Sequence, residues 1–237
     1  MIEKKIKSIL YKIKKLFFNV FLIKKSNNDT IFEKIYKKNY WGSAESISGP
    51  GSDLINTQNI RIELPKIISK YKIQKVIDVP CGDFNWMKLV VDQSDIDYLG
   101  CDIVEELINL NKKLYSSNKV NFSKLNLMKD QLPDSDLLIC RALFYHLDFF
   151  SIKKILENFK RSNIKYVLLT NSPNLENFIN KDIINGQFRD LDLFKAPLLF
   201  PSNYLYKFED IRNSDTNIIE QEMILWKMDE LLNNINL

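Results

Sequence analysis

The residues able to do chemistry cluster where short apolar runs end. Those ends are Val79-Pro80-Cys81-Gly82-Asp83-Phe84, Gly100-Cys101-Asp102, Leu125-Asn126-Leu127 and Cys140-Arg141. If the runs are strands of an α/β sheet, ligands bind beyond their carboxyl ends. Asp78 stands near the end of the first run and Asp102 closes the second. A carboxylate has two acceptor oxygens, so an acid at that second position can take both hydroxyls of a ribose. Asp102 could equally cap a helix starting near Val104, but its pairing with the first loop favours nucleoside binding. The cysteines Cys81, Cys101 and Cys140 form no C-x-x-C pair. An odd, sparse set reads as free thiols in a reducing compartment. Structural zinc sites use short-spaced ligand pairs, and only Cys140 and His146 are near each other, so no metal is expected.

These ends need a scaffold, and the chain supplies one from residue 73 onward. Val76–Val79, Tyr98–Cys101, Val120–Leu125, Leu137–Cys140 and Tyr166–Thr170 read as strands. Helical patterns over Trp86–Val91, Glu105–Tyr115 and Ser151–Phe159 separate several of them. Strands buried on both faces and alternating with helices indicate a parallel sheet covered on each side. Two later strand-like runs are Tyr204–Phe208 and Glu222–Met228. Upstream, residues 31–40 and 57–71 look helical, with Pro65 marking a boundary or kink in the second. Between them, residues 41–52 hold three of the six glycines, so this is a shaped loop rather than a spacer.

The chain has 237 residues, 45% of them hydrophobic, which suits one full-cored domain with an appendage and excludes a disordered chain. Lys and Arg number 34 against 30 Asp and Glu, too slight an excess to argue for nucleic acid as a partner. The charge is uneven, because residues 1–25 carry eight lysines against Glu3 alone. Ile2, Ile6, Ile9, Ile13, Leu16, Val20 and Ile23 fall on one helical stripe. Residues 1–28 therefore read as a basic amphipathic helix ahead of a domain over 29–237. Its apolar face packs on the body or on a second copy in a homodimer, or else lies on an anionic membrane surface. The apolar run Leu16–Ile23 is too short to span a bilayer. The expected location is cytoplasmic, with a possible peripheral site at the inner face of the membrane.

The stretch Val76-Ile77-Asp78-Val79-Pro80-Cys81-Gly82-Asp83-Phe84 resembles motif I of class I S-adenosylmethionine-dependent methyltransferases. Asp102 matches their ribose-binding acid and Asn126-Leu127 their adenine contact, while Asp136–Arg141 looks like their fourth strand. The resemblance covers roughly residues 40–230. A nearer likeness is to a bacterial subfamily with W-G-S-x-E-S, D-x-P-C-G-D-F-N-W-M and N-x-D-I-x-x-G-x-[WF]-R-x-L segments, here Trp41–Ser46, Asp78–Met87 and Asn180–Leu191. Such proteins resemble methyltransferases of capsule and surface-glycan biosynthesis. The chain departs from the wider pattern at Pro80 and Phe84, which replace motif I glycines, and at Asn126, where many relatives have Asp. S-adenosylmethionine has no phosphate, so the glycine loss counts more against a dinucleotide.

The resemblance implies a Rossmann-like, seven-stranded, mostly parallel sheet sandwiched by helices. It implies S-adenosylmethionine held by Asp78, Pro80, Cys81, Gly82, Asp83, Asp102, Ile103, Asn126, Leu127 and Cys140. Trp41 covers the cofactor or fills core, and Arg61 is the candidate for the methionyl carboxylate. His146, the single histidine, falls next to the methyl group in this fold. It is either a general base or a packing residue of the Phe144–Leu147 turn. Arg141 would hold an anionic group there, and Asp182 and Arg189 would face the acceptor. The expected activity is methyl transfer to an oxygen of a sugar or phosphate-bearing glycan precursor. The alternative is a degenerate cofactor-binding module recruited to the membrane by its first helix.

Overall fold

A computed structural model describes residues 28–173, 177–212 and 219–235. Its frame is one sheet of seven strands: β1 (Lys75–Asp78), β2 (Asp97–Asp102), β3 (Val120–Lys124), β4 (Ser135–Cys140), β5 (Ile164–Asn171), β6 (Tyr206–Arg212) and β7 (Ile219–Lys227). Their order is β3-β2-β1-β4-β5-β7-β6. The β1–β5 pairings are parallel, and β7 runs antiparallel to both β5 and β6. The expected seven-stranded, mostly parallel architecture is therefore present. From β1 the chain builds outward through β2 and β3, then returns to lay β4 on the other side of β1. That reversal opens a crevice at the carboxyl ends of β1 and β4.

Side chains alternate across each strand and feed two cores. On one face Ile77, Leu138, Val167 and Leu169 meet Ile152, Ile155 and Leu156 of α5 (Phe149–Phe159) and Leu231 of α6 (Met228–Asn233). On the other, Val76, Leu137, Ile139 and Leu168 meet Ile60, Leu64 and Ile67 of α2 (Gln58–Lys70) and Met87 of α3 (Met87–Val91). Ile108 of α4 (Glu105–Tyr115) joins this second core. A smaller cluster places Ile31 and Ile35 of α1 (Asn28–Lys37) beside Trp41. The first core also encloses Trp226, which is fully buried among Phe194, Phe200 and Tyr204 and donates from Nε1 to the Pro201 carbonyl at 3.0 Å. Trp226→Ala should cost about 3–5 kcal/mol, read as a lowered urea midpoint. A loss under about 1 kcal/mol would show that the site collapses without a cavity.

Several boundaries differ from the expected ones. Pro65 lies inside α2 instead of ending it; it withholds one N–H, and the helix continues on its buried apolar side. The sixth strand begins at Tyr206 rather than Tyr204. Of the expected basic helix over residues 1–28, residues 1–27 lie outside the described part of the chain, and Asn28 opens α1. Among the described residues no helix is long and apolar enough to cross a membrane.

Candidate active site

A cavity lies over the carboxyl ends of β1, β2 and β4. Eleven of the expected site residues line it: Trp41, Asp78, Pro80, Cys81, Gly82, Asp102, Ile103, Asn126, Leu127, Arg141 and His146. Asp102 ends β2 and is buried. Its Oδ2 accepts from the Gly82 amide at 3.2 Å and its Oδ1 from the Val104 amide at 3.0 Å. Its local backbone contact and its place on the cavity wall thus coexist. A carboxylate has about four lone-pair sites, so these two bonds leave room for two more donors. Burial pushes the acid up to about 6 against the pull of its backbone donors. Asp78, at the end of β1, accepts from the Tyr98 hydroxyl at 2.8 Å. Burial raises it further, to about 7.

The first loop is bolted to the serine-rich segment. Asp83 does not line the cavity; it accepts from Ser46 Oγ, the Ile47 amide and Ser48 Oγ at 3.0, 3.0 and 3.3 Å. In return the Asp83 amide donates to Ser48 Oγ at 3.2 Å. An expected cofactor contact is instead the residue that holds Ile47 and Ser48 in the wall. Gly82 sits at φ +55°, and its carbonyl accepts from Asn111 Nδ2 at 2.7 Å.

His146 follows β4 on a short 3-10 turn, Phe144–His146. Its Nδ1 lies 3.0 Å from the Gln187 carbonyl. A carbonyl only accepts, so Nδ1 carries the proton and Nε2 keeps its lone pair. The ring lies between Trp41, at 4.8 Å, and Phe188, at 5.7 Å. Desolvation lowers its pKa to about 4, with Arg189 adding to the effect. The imidazole is therefore neutral at pH 7. Phe188 reaches the ring because the Asn180–Leu191 segment backs this turn: the Gly186 amide donates to the His146 carbonyl and the Arg189 amide to that of Tyr145.

Four further expected residues lie elsewhere. Arg61 is off the cavity, donating from Nη2 to the Leu54 carbonyl at 2.8 Å and from Nε to that of Thr57 at 3.3 Å. Two of its N–H donors are thus turned to backbone, and the structure does not bring it to the cavity with the other expected residues. Cys140 points into the first core and does not line the wall. Asp182 accepts from the Phe149 and Ile183 amides, each at 2.9 Å, tying the segment to the start of α5. Arg189 lies 4.6 Å over the Phe149 ring and 3.7 Å from Asp182. Both support the turn that carries His146 without lining the cavity. The three thiols are free and buried. Among the described residues no group of three or more His, Cys, Asp or Glu side chains could hold a metal. Asp136 accepts from Gln74 and Lys75 amides at the start of β4, the end of the sheet away from the cavity.

Other wall residues escaped the sequence reading. Phe32 and Tyr36 come from α1, and Ile47, Ser48, Met128 and Leu143 from the loops. Phe32 and Tyr36 stand four apart on one helix, a spacing that puts both on one face. Nothing in the sequence says that this face turns toward the sheet.

No protein-family model and no curated protein matches the chain. Solved structures do. The methyltransferase domain of bacterial CtHen1 superposes with a TM-score of 0.52 at 14% identity, over 73% of this chain and 99% of that one. Human N-acetylserotonin methyltransferase, solved with SAM, gives 0.56 at 13%, over 89% of this chain and 61% of that one. Magnesium protoporphyrin IX methyltransferase from Synechocystis PCC 6803, with bound SAM, gives 0.58 at 10%, over 85% and 97%. At such identities the likeness speaks for architecture. The chain has the Rossmann-like methyltransferase fold, seven strands with the last pair antiparallel, and its cavity opens at the sheet's reversal point.

Proposed function

We propose that the cavity binds S-adenosylmethionine and that the protein transfers its methyl group to an oxygen acceptor, a hydroxyl on a sugar or phosphate-bearing glycan precursor. The observation that carries the reading is Asp102, a buried carboxylate on the cavity wall with lone pairs left for two ribose hydroxyls. The rest of the wall fits the same ligand. Ile103, Leu127 and Met128 offer an apolar slot for a purine, and Asn126 adds an amide beside it. Among the described residues Arg141 is the single guanidinium on the wall and no lysine joins it. That set is poor for a pyrophosphate and suited to a cationic sulfonium beside acids and aromatic faces.

When bound, the cofactor supplies a methyl group already activated on sulfur. The chain's own part is to align the acceptor, exclude water and take its proton. Trp41 and Phe32 cover the cavity from the side of α1. The bare Nε2 of His146 receives the hydroxyl proton, while the Gln187 carbonyl fixes the ring. The glycan acceptor draws on the sequence likeness. Two of its three segments, Trp41–Ser46 and Asn180–Leu191, each send an aromatic ring to His146.

Calorimetry with S-adenosylhomocysteine tests the cofactor. The wild type should bind, and Asp102→Ala should weaken binding about 100-fold, the loss of two bonds to a charged acceptor. A wild type that does not bind would overturn the reading.

A further inference from the structure

The segment that backs the His146 turn is held down by a buried side chain. Asn185 is 2% exposed although it stands on a turn, where polar side chains ordinarily face water. That turn, Ile184–Gln187, closes through the Gln187 amide on the Ile184 carbonyl at 3.0 Å. Asn185 and Gly186 are its central pair, with Gly186 at φ +90°. From this position Asn185 Oδ1 accepts from the Asp148 amide at 2.6 Å, and Nδ2 donates to Ser151 Oγ at 2.9 Å. Asp148 in turn caps α5, its Oδ1 accepting from the Ser151 amide at 2.7 Å. The three residues form a closed ring of hydrogen bonds.

That ring is close to the imidazole on both sides. Asp148 stands two residues after His146, and Asn185 two before Gln187, whose carbonyl lies 3.0 Å from Nδ1. The Asn185 clamp therefore joins the two stretches of chain that the Nδ1 bond connects. Asp182 also ties the segment to this turn, but its side chain is 57% exposed and its Oδ1 is shared between the Phe149 and Ile183 amides. Water competes for such a bond and not for a buried one. The ring nitrogen that carries the proton of a neutral histidine is set by the hydrogen bond made at the other. Once the carbonyl leaves Nδ1, the proton can move to Nε2, which then has no lone pair for an acceptor's proton. We propose that Asn185 is a positioning residue for methyl transfer: its buried amide holds the Gln187 carbonyl on Nδ1 of His146 and so keeps Nε2 unprotonated. This rests on the reading of His146 as the base.

Nitrogen-15 NMR of the single imidazole tests this at about pH 8, where the ring is neutral, on full-length protein free of affinity histidines. The two ring nitrogens give distinct shifts, so the spectrum reports which one carries the proton. Wild type should hold more than about 90% of the ring in the Nδ1–H form, and Asn185→Ala less than about half. Ser151→Ala is the control. It opens the same ring of bonds but leaves Asn185 Oδ1 on the Asp148 amide, so the Nδ1–H form should stay at the wild-type share. Asn185→Ser, too short to reach Asp148 and Ser151 together, serves with the same expected loss if Asn185→Ala does not fold. An Nδ1–H form that persists in the Asn185 variant overturns the proposal and leaves His146 as the base. Equal mixing in Ser151→Ala also overturns it, because general loosening then explains the change. A wild type with its proton on Nε2 removes the base and the proposal together.

Discussion

Gly82→Ala is expected to remove measurable S-adenosylhomocysteine binding, a loss above about 1,000-fold. Gly82 sits at φ +55°, where a side chain costs about 1 kcal/mol. The larger effect is steric. A Cβ there would stand 2.1 Å from Ser48 Oγ and 3.1 Å from Ser48 Cβ. Serine is too short to swing clear, because its Cβ is itself in the way. Its hydroxyl is also occupied, receiving from the Asp83 amide and donating to the Asp83 carboxylate. Relief therefore requires the Ser46–Ser48 segment to leave Asp83 or the Gly82 turn to leave Asp102, whose Oδ2 it contacts. Either movement takes apart the wall where the nucleoside would lie. The variant also identifies its own cause. Adding Ser48→Gly removes both clashing atoms and keeps the φ penalty, so binding should return to within about tenfold of wild type. If Ser48→Gly restores nothing, backbone conformation and not the clash dominates.

That dependence shows which parts of the site were legible in the sequence. Strands in a parallel sheet are buried on both faces and appear as continuous apolar runs. Their carboxyl ends, with Asp78 and Asp102, could therefore be located without coordinates. Helix α4 follows its apolar spacing from Glu105 to Tyr115 as expected. The loop partners could not be found this way. Asp83 looks like another motif I contact, yet its carboxylate turns toward Ser46, Ile47 and Ser48, some 35 residues earlier. Arg61 has the right charge for a carboxylate, but it stands four residues after Thr57 and takes that carbonyl. Cys140 lies one residue before Arg141, and strand alternation sends its thiol into the core instead. Helix α6 starts immediately after β7, with no Gly or Pro to punctuate the change. In each case the deciding neighbour is distant in sequence or set by the direction of one side chain. Residue type and spacing encode neither.

His146→Ala should lower turnover by about 100- to 10,000-fold on any hydroxyl acceptor that the wild type methylates, the range for loss of a positioned base. The sign of its pH dependence follows from its surroundings. Desolvation holds the pKa near 4, below the usual histidine value of 6.5. Above about pH 5 the ring is thus already neutral, and the acid limb that His146 itself contributes, read with the cofactor site saturated, should fall near pH 4 instead of pH 6.5. The same shift acts on stability. The unfolded chain binds a proton through this window and the folded chain does not, so His146 contributes stability above pH 6.5 that is lost as pH falls toward 4. Asp78 and Asp102 act the other way, because burial raises them to about 7 and about 6. Their contribution is full below pH 3.8 and is lost as pH rises through those values. Proton NMR isolates the histidine without any acceptor. The sequence contains one histidine, so protein free of affinity histidines gives a single imidazole Cε1–H titration. That signal should stay flat from pH 8 to about pH 5.5. A midpoint near 6.5 would place the ring in water and remove the fixed, neutral base on which proton transfer depends.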